Sequence, residues 1–384
     1  MLDRARAIEE QLTSWRRDIH SHPELGFQET RTAALVAEWL QRLGYDVSTG
    51  IGRTGVIGEQ GTGHPIVAIR ADMDALPIQE ANDVPYASQT PGVMHACGHD
   101  CHTAIVLGVA MLLSRKTFPG TVRFLFQPAE EIEDQEGKSG AQRMIEDHAM
   151  KGTDMVLALH VDSSTPVGEI AIGTGLVNGG ADTFHATIIG TGGHGAYPHL
   201  VVDPIHIAGH VILALHSIVS RRIHPGDPAV VSIGTIHGGK ADNVIPQQVQ
   251  ISGTIRYTEA EVQEKIHAEI ERALRITQAM GGDYTLEIDI GYPPMFNAPE
   301  TVELISQVAA DLLGAERVRS ARREMGAEDF GYLSSLTCGA MFKLGCKIEG
   351  DERNLHHPRF DVDERCLPIG TAILAETVLR RLRG

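Results

Sequence analysis

At 384 residues, 42% hydrophobic and 22% charged, the chain has room for two or three domains, each with a sizeable buried core. A formal net charge of −17 argues against the concentrated basic face that a nucleic-acid or anionic-membrane partner requires. No window approaches the roughly 18 to 20 apolar residues of a membrane span, and five cysteines, few for the length and odd in number, argue against a disulfide framework.

The N-terminal stretch MLDRARAIEEQLTSWRRDIHSHPELG reads as an amphipathic helix ending near Pro23. It lacks the apolar centre of an export signal, so a cytoplasmic location is expected. IVAIRA (66–71), TVRFLFQ (121–127) and DMVLALH (154–160) read as buried strands, and HTAIVLGVAMLLSR (102–115) as a buried helix. Their alternation predicts an α/β domain with a mixed, mostly parallel sheet. Chemistry in such sheets gathers beyond the carboxyl ends of the strands. The three apolar runs end in polar residues there, delivering Asp72, Asp74, Glu130, Glu131 and His160 towards one edge.

Between Gly173 and Gly180 the pattern changes. ADTFHATIIG, a helix from about Pro204 to Arg222, AVVSIGTI, QVQISGTIRY, a helix from about Glu259 to Ala279 and YTLEIDI follow in turn. This β, α, β, β, α, β order predicts a small ferredoxin-like α+β domain. After GYPPMFNAP (291–299), two helices and a short strand complete the chain. The expected organisation is one domain from residues 1–178 and 295–384, with residues 179–294 inserted as a second.

MHACGHDCH (94–102) concentrates the chemistry. Cys97 and His99 flank Gly98, and a glycine turn can aim a thiolate and an imidazole at one cation. Taken alone, Cys-Gly-His is more often a buried free cysteine beside a helix start. Cys97 and Cys101 are separated by three residues, so the redox Cys-x-x-Cys spacing is absent. In QPAEE (127–131), two adjacent carboxylates at the end of a buried strand call for a compensating cation. One can bind metal while the other moves a proton, although, taken alone, EEIEDQE is more often a solvated acidic loop. His160 and His356, the latter in NLHHPRF, would complete a two-metal set with Cys97, His99 and one glutamate.

HSHPELGFQE, IRADMDALPI, MHACGHDCHTA, FQPAEE, LALHV, GGHGAYPH, GTIHGGKADNVIP, GTIR, GAEDFGYL and LHHPRF occur in this order. In this the chain resembles the metal-dependent amidohydrolases of the aminoacylase and carboxypeptidase type, and among them the branch of hippurate and auxin-conjugate hydrolases. The resemblance runs from about Trp15 to the C-terminal helix. It implies a zinc-peptidase-like catalytic domain carrying a lid or dimerisation domain. It also implies two divalent ions (zinc, manganese, cobalt or nickel) on Cys97, His99, Glu131, His160 and His356, with Glu130 as general base. His356 is preferred to His357, and Asp72 and Asp74 become organising carboxylates. From the lid, His194 would hold the oxyanion, in several members across a dimer, with His199 the weaker candidate. Asn243 and Arg256 would bind substrate, the arginine clamping a carboxylate. GAEDFGY, with Glu328 and Asp329, would line the pocket. Relatives usually carry glycine in place of Cys101, which is read as a small buried residue.

The implied activity is hydrolysis of the amide of N-acetyl, N-benzoyl or similar N-acyl amino acids, by attack of a metal-bound water with Glu130 as base. A homodimer is the expected assembly. A dipeptidase or carboxypeptidase acting on short peptides, or a catalytically silent metal-binding homologue, are the alternatives.

Overall fold

The structure, a computed structural model, describes residues 1–351 and 353–384. The chain forms two compact units. One comprises Met1–Val177, Phe296–Arg322 and Asp329–Gly384, and the other Asn178–Met295 and Arg323–Glu328.

The larger unit is built on an eight-stranded sheet. Its strands run in the order Asp46–Ile51, Gly55–Thr62, Gly120–Gln127, Ile66–Asp72, Met155–Pro166, Cys338–Lys347, Ile170–Ile172 and Val318–Ser320. The strands from Gly120–Gln127 to Cys338–Lys347 are mutually parallel, and antiparallel pairs flank them. Gly120–Gln127 is buried along its whole length, as expected of a strand covered on both faces. The helix His99–Leu113 is buried all round except at Met111, and Glu9–Ser21 and Leu367–Arg383 pack against it.

Three expectations need correction. The N-terminal helix is two, Leu2–Arg6 and Glu9–Ser21, because Ile8 leaves helical geometry at φ −113°, ψ 13°. The segment after residue 300 holds more than one short strand. Cys338–Lys347 is a ten-residue central strand, paired along Met155–Pro166, and Phe330–Ser334 adds a further short helix. Arg323–Glu328, expected in the first domain, belongs to the second unit: Gly179 N donates to Glu324 O (2.9 Å) and Asn178 Nδ2 to Gly326 O (3.1 Å).

In the second unit, Val230–Gly238, Gln248–Tyr257, Gly180–Ile189 and Asp283–Ile290 form an antiparallel sheet in that spatial order. Period-two alternation turns Phe184, Ile188, Ile251 and Ile255 into a core with the helices Pro204–Arg222 and Ala260–Leu274. His185, Thr187, Gln250 and Ser252 alternate with them along the two central strands. Among the described residues, no helix is long and apolar enough to cross a membrane.

Candidate metal centre

Four segments of the larger unit bring the chemistry together. Gly98 has φ 89°, and a Cβ there would lie 2.3 Å from Val161 Cγ2, so the turn between Cys97 and His99 accepts only glycine. Ala129, just before the two glutamates, is also left-handed at φ 43°. Its N–H donates to Glu29 Oε1 (2.8 Å) and its carbonyl accepts from Gly140 N (2.9 Å), so both backbone groups of this elbow are tied. His356, at φ 59°, is anchored by its N–H to Ala96 O (2.8 Å). His160 lies within Met155–Pro166, a strand that runs on past the expected end.

The side chains meet at short range. Cys97 Sγ lies 3.4 Å from His160 Nε2, and His356 Nε2 lies 3.0 Å from Glu131 Oε1. His99 Nε2 is 4.0 Å from both Glu130 Oε2 and Glu131 Oε1. All six predicted residues of this unit therefore fall in one cluster. Cys97 belongs to two potential ligand triplets, one with His99 and His160 and one with Glu131 and His356.

Hydrogen bonds fix which ring nitrogens remain available. His99 Nδ1 faces only acceptors, Asp74 O (2.9 Å) and Asp74 Oδ1 (3.1 Å), so it carries the proton. Among the described residues, His99 Nε2 is then a buried nitrogen with no hydrogen-bond partner. His160 Nδ1 donates to Val161 O (2.8 Å), which likewise leaves its Nε2 free to bind. Asp74 also accepts the Glu131 N–H at Oδ2 (2.9 Å), orienting a histidine and a glutamate at once. A buried thiol, three imidazoles and paired carboxylates are the donor set of a divalent transition metal, and the orphaned His99 Nε2 is the atom such an ion would satisfy.

The electrostatics agree. Burial pushes the Cys97 thiol up to about 12, with His99 opposing. Burial, then Lys343 and His102, hold the His160 imidazole well below its usual range, so it is neutral. Burial works against the charge on His99, but Asp72 and Cys97 outweigh it and raise its pKa well above the usual value. Burial also disfavours the Asp72 carboxylate, yet His99, His102 and Arg70 hold it well below the usual carboxylate range. A cation entering here would displace protons from Cys97 and His99.

Other expectations resolve differently. Asp329 is fully buried, with its carboxylate within 4.8 Å of that of Glu130, and it binds Arg70 Nη2 (2.8 Å), Gln127 Nε2 (2.8 Å) and Ala141 N (3.1 Å). Glu328 is buried and belongs to the second unit. His357 Nδ1 accepts from Arg359 N (3.1 Å) inside its own turn, whereas His356 reaches Glu131. Cys101 is buried in the main core.

Residues outside the predicted set support the centre from behind. Arg16, fully buried, bonds Asp100 Oδ2 (2.8 Å) and Asp361 Oδ1 (2.7 Å), joining the helix that begins at His99 to the segment that follows His356. The signal for such residues was a charged side chain inside an otherwise apolar or motif-bearing run, as with Arg70 in IVAIRA. A buried charge there must be paired.

The second unit holds the remaining candidates. His194 is exposed on a two-residue strand whose partner is Val244–Ile245, and Gly195 N donates to Asn243 O (2.8 Å). His194 and Asn243 are thus neighbours. Arg256 is not with them. It pairs with Ala181 at one end of the sheet, while Gln248 pairs with Ile189 at the other. Eight residues of strand span roughly 26 Å at ~3.3 Å each. The Arg256 guanidinium donates to Thr254 Oγ1 and, from Nη1, to Ile255 O (3.0 Å).

The sequence model of peptidase family M20/M25/M40 matches residues 68–380. The chain is 38% identical to thermostable carboxypeptidase 2 of Saccharolobus solfataricus, over 94% of this chain and 93% of that protein. It is 37% identical to N-acetylcysteine deacetylase of Bacillus subtilis, over 97% of both. Among solved structures, a dinuclear metal binding peptidase of the M20 family from B. subtilis superimposes with a TM-score of 0.84 at 34% identity, covering 98% of this chain and 99% of that one.

Proposed function

The chain belongs to peptidase family M20/M25/M40, hydrolases of amide and peptide bonds, and from that premise we propose that it hydrolyses the amide of N-acetyl, N-benzoyl or similar N-acyl amino acids. The observation that carries the reading is the convergence of Cys97, His99, Glu131, His160 and His356 around a buried His99 Nε2 that lacks a partner, with Glu130 beside it.

These five residues would hold two divalent ions, zinc, manganese, cobalt or nickel, with Cys97 shared between the two triplets. Ions in such a site acidify water and polarise a carbonyl. Glu130 takes the proton from the attacking water and returns it to the amine as the carbon–nitrogen bond breaks. His194 donates to the developing oxyanion, and Arg256 holds the substrate carboxylate in a planar two-point contact, with Asn243 as a further donor. We assign the larger unit, Met1–Val177 with Phe296–Arg322 and Asp329–Gly384, to catalysis, and the smaller, Asn178–Met295 with Arg323–Glu328, to a ferredoxin-like lid and dimerisation role. Arg256 sits at the far end of Gln248–Tyr257 from Gln248 and its partner Ile189, which follow and precede the Asn243 and His194 segments in the chain, and we assign Arg256 and the His194–Asn243 pair to different copies of the chain in a homodimer.

The nearer rival is cleavage of short peptides, favoured by the similarity to a carboxypeptidase. The test is hydrolysis of N-acetyl-amino acids, N-benzoyl-amino acids and dipeptides by metal-stripped protein, with Zn²⁺, Mn²⁺, Co²⁺ or Ni²⁺ restored singly. Metal-dependent release of acetate or benzoate bears the proposal out. Dipeptide cleavage without either would replace it with the peptidase reading.

A further inference from the structure

His102 lies three residues after His99 on the buried helix His99–Leu113. Its ring centroid is 5.5 Å from that of His99 and 4.8 Å from that of His160. A third imidazole between two candidate ligands has the look of another ligand, and Asp72, His99 and His102 are close enough to share a cation. Its hydrogen bonds say otherwise.

The backbone N–H of Val161 points at His102 Nε2 at 3.0 Å. An amide N–H can only donate, so this nitrogen is the acceptor and its lone pair is spent. The proton is therefore on Nδ1, which donates to Asp72 Oδ1 at 2.6 Å. Both nitrogens are occupied in a single tautomer, and none remains for a metal. Asp72 is engaged on both oxygens, because its Oδ2 accepts from Arg70 Nη1 at 2.6 Å.

Val161 is where the effect spreads. Its N–H is held by His102, and its carbonyl takes the Nδ1–H of His160, which aims His160 Nε2 towards Cys97 Sγ. Its side chain lies directly under Gly98, in the turn that carries Cys97 and His99.

We propose that His102 is a positioning residue of the metal centre: by donating to Asp72 and accepting from Val161 it fixes the backbone that orients His160 and supports the Cys97–Gly98–His99 turn, without binding the ion. This rests on the metal-centre reading above. Outer partners of this kind tune affinity by about 10- to 100-fold.

Two substitutions separate the two bonds. His102→Asn sets an amide donor near the place of Nδ1, keeping the bond to Asp72 and giving up Val161. His102→Gln sets an amide oxygen near the place of Nε2, keeping Val161 and giving up Asp72. His102→Leu removes both. Metal titrations of the metal-free protein, the visible absorption of its Co²⁺ form and steady-state kinetics are the readouts. The expected result is an unchanged number of ions per chain and an affinity about 10- to 100-fold weaker in His102→Leu, with Asn and Gln between it and wild type. The Co²⁺ bands should shift in each variant, and kcat should fall with KM held within about twofold.

Unchanged affinity and Co²⁺ spectra in variants shown to be folded would overturn the proposal. So would loss of a whole ion at saturating metal, since His102 would then be a ligand. A long-range ¹H–¹⁵N spectrum of metal-free wild-type protein tests the geometry without any substitution: the Nδ1–H tautomer is expected, and the Nε2–H tautomer refutes it. Wild-type protein that takes up no divalent ion would overturn the metal-centre reading, and this proposal with it. Normal uptake by wild type and variants alike would overturn this proposal alone.

Discussion

In the larger unit each candidate histidine or glutamate is gripped by another residue; in the smaller one the candidates stand on exposed or half-exposed backbone. Asp74 holds both His99 and the Glu131 amide, and Val161 holds His160. Glu29 and Gly140 hold the elbow before Glu130. By contrast the His194 ring turns back on its own turn, Nδ1 accepting from Ala196 N (3.1 Å), and Arg256 turns back on its own strand. Preorganised donors suit a cation that must find its ligands already aimed. Groups that engage a substrate can wait for it, and the cost of ordering them falls on binding. Substitutions in the first set should therefore disturb metal affinity or stability as well as rate, and those in the second should disturb kinetics alone.

The largest effect tests that contrast at its exception. Glu130 sits among the ligands but is assigned proton transfer, so Glu130→Gln should lower turnover by about 10³-fold or more with metal stoichiometry unchanged by elemental analysis. Loss of metal together with activity would make Glu130 a ligand instead. Next is His194→Ala, expected to lower kcat by about 10²- to 10³-fold while leaving metal content and the thermal midpoint at wild-type values. A drop in metal content would erase the distinction between the units. Arg256→Lys should raise KM by about tenfold for a substrate with a free carboxylate, since the second contact of the fork is lost. It should have no effect on the corresponding carboxamide. Equal effects on both substrates would remove the clamp.

A further effect, on stability and not on turnover, concerns the support behind the elbow. Burial, and then Asp74, push the Glu29 carboxyl from its ordinary value up to about 7. A carboxyl with a raised folded pKa stays protonated in the fold after the unfolded chain has lost its proton, so it favours folding at low pH. That contribution is lost as pH rises from about 4.5 through about 7, at most about 3 kcal/mol. In chelator-treated protein, the thermal midpoint of wild type should fall relative to Glu29→Gln between about pH 5 and pH 8. Parallel curves would show that the carboxyl is ionised throughout.

Legibility in the sequence followed the same division. Ile66–Asp72, Gly120–Gln127 and Gln248–Tyr257 stood out as runs of β-branched and apolar residues, and the six residues of the cluster stood out as chemistry-bearing types at run ends. Cys338–Lys347 did not, because two glycines and a lysine interrupt its apolar pattern, although it lies in the middle of the sheet. His102 read as part of a helix, and only the amide of Val161, 59 residues away, reveals its tautomer. The role of Asp329 was hidden for the same reason: a motif carboxylate can serve a site or an internal arginine, and its partner Arg70 lies 259 residues away.

By itself, the sequence determined which residue types could bind metal, the α/β alternation and the motif order that marks the family, because these depend on local period and composition. The tertiary structure alone decided which histidine nitrogens are free, which carboxylates are spent on buried arginines, and that Arg256 stands apart from His194. Those outcomes depend on hydrogen bonds between distant segments, whose directions only the folded backbone sets.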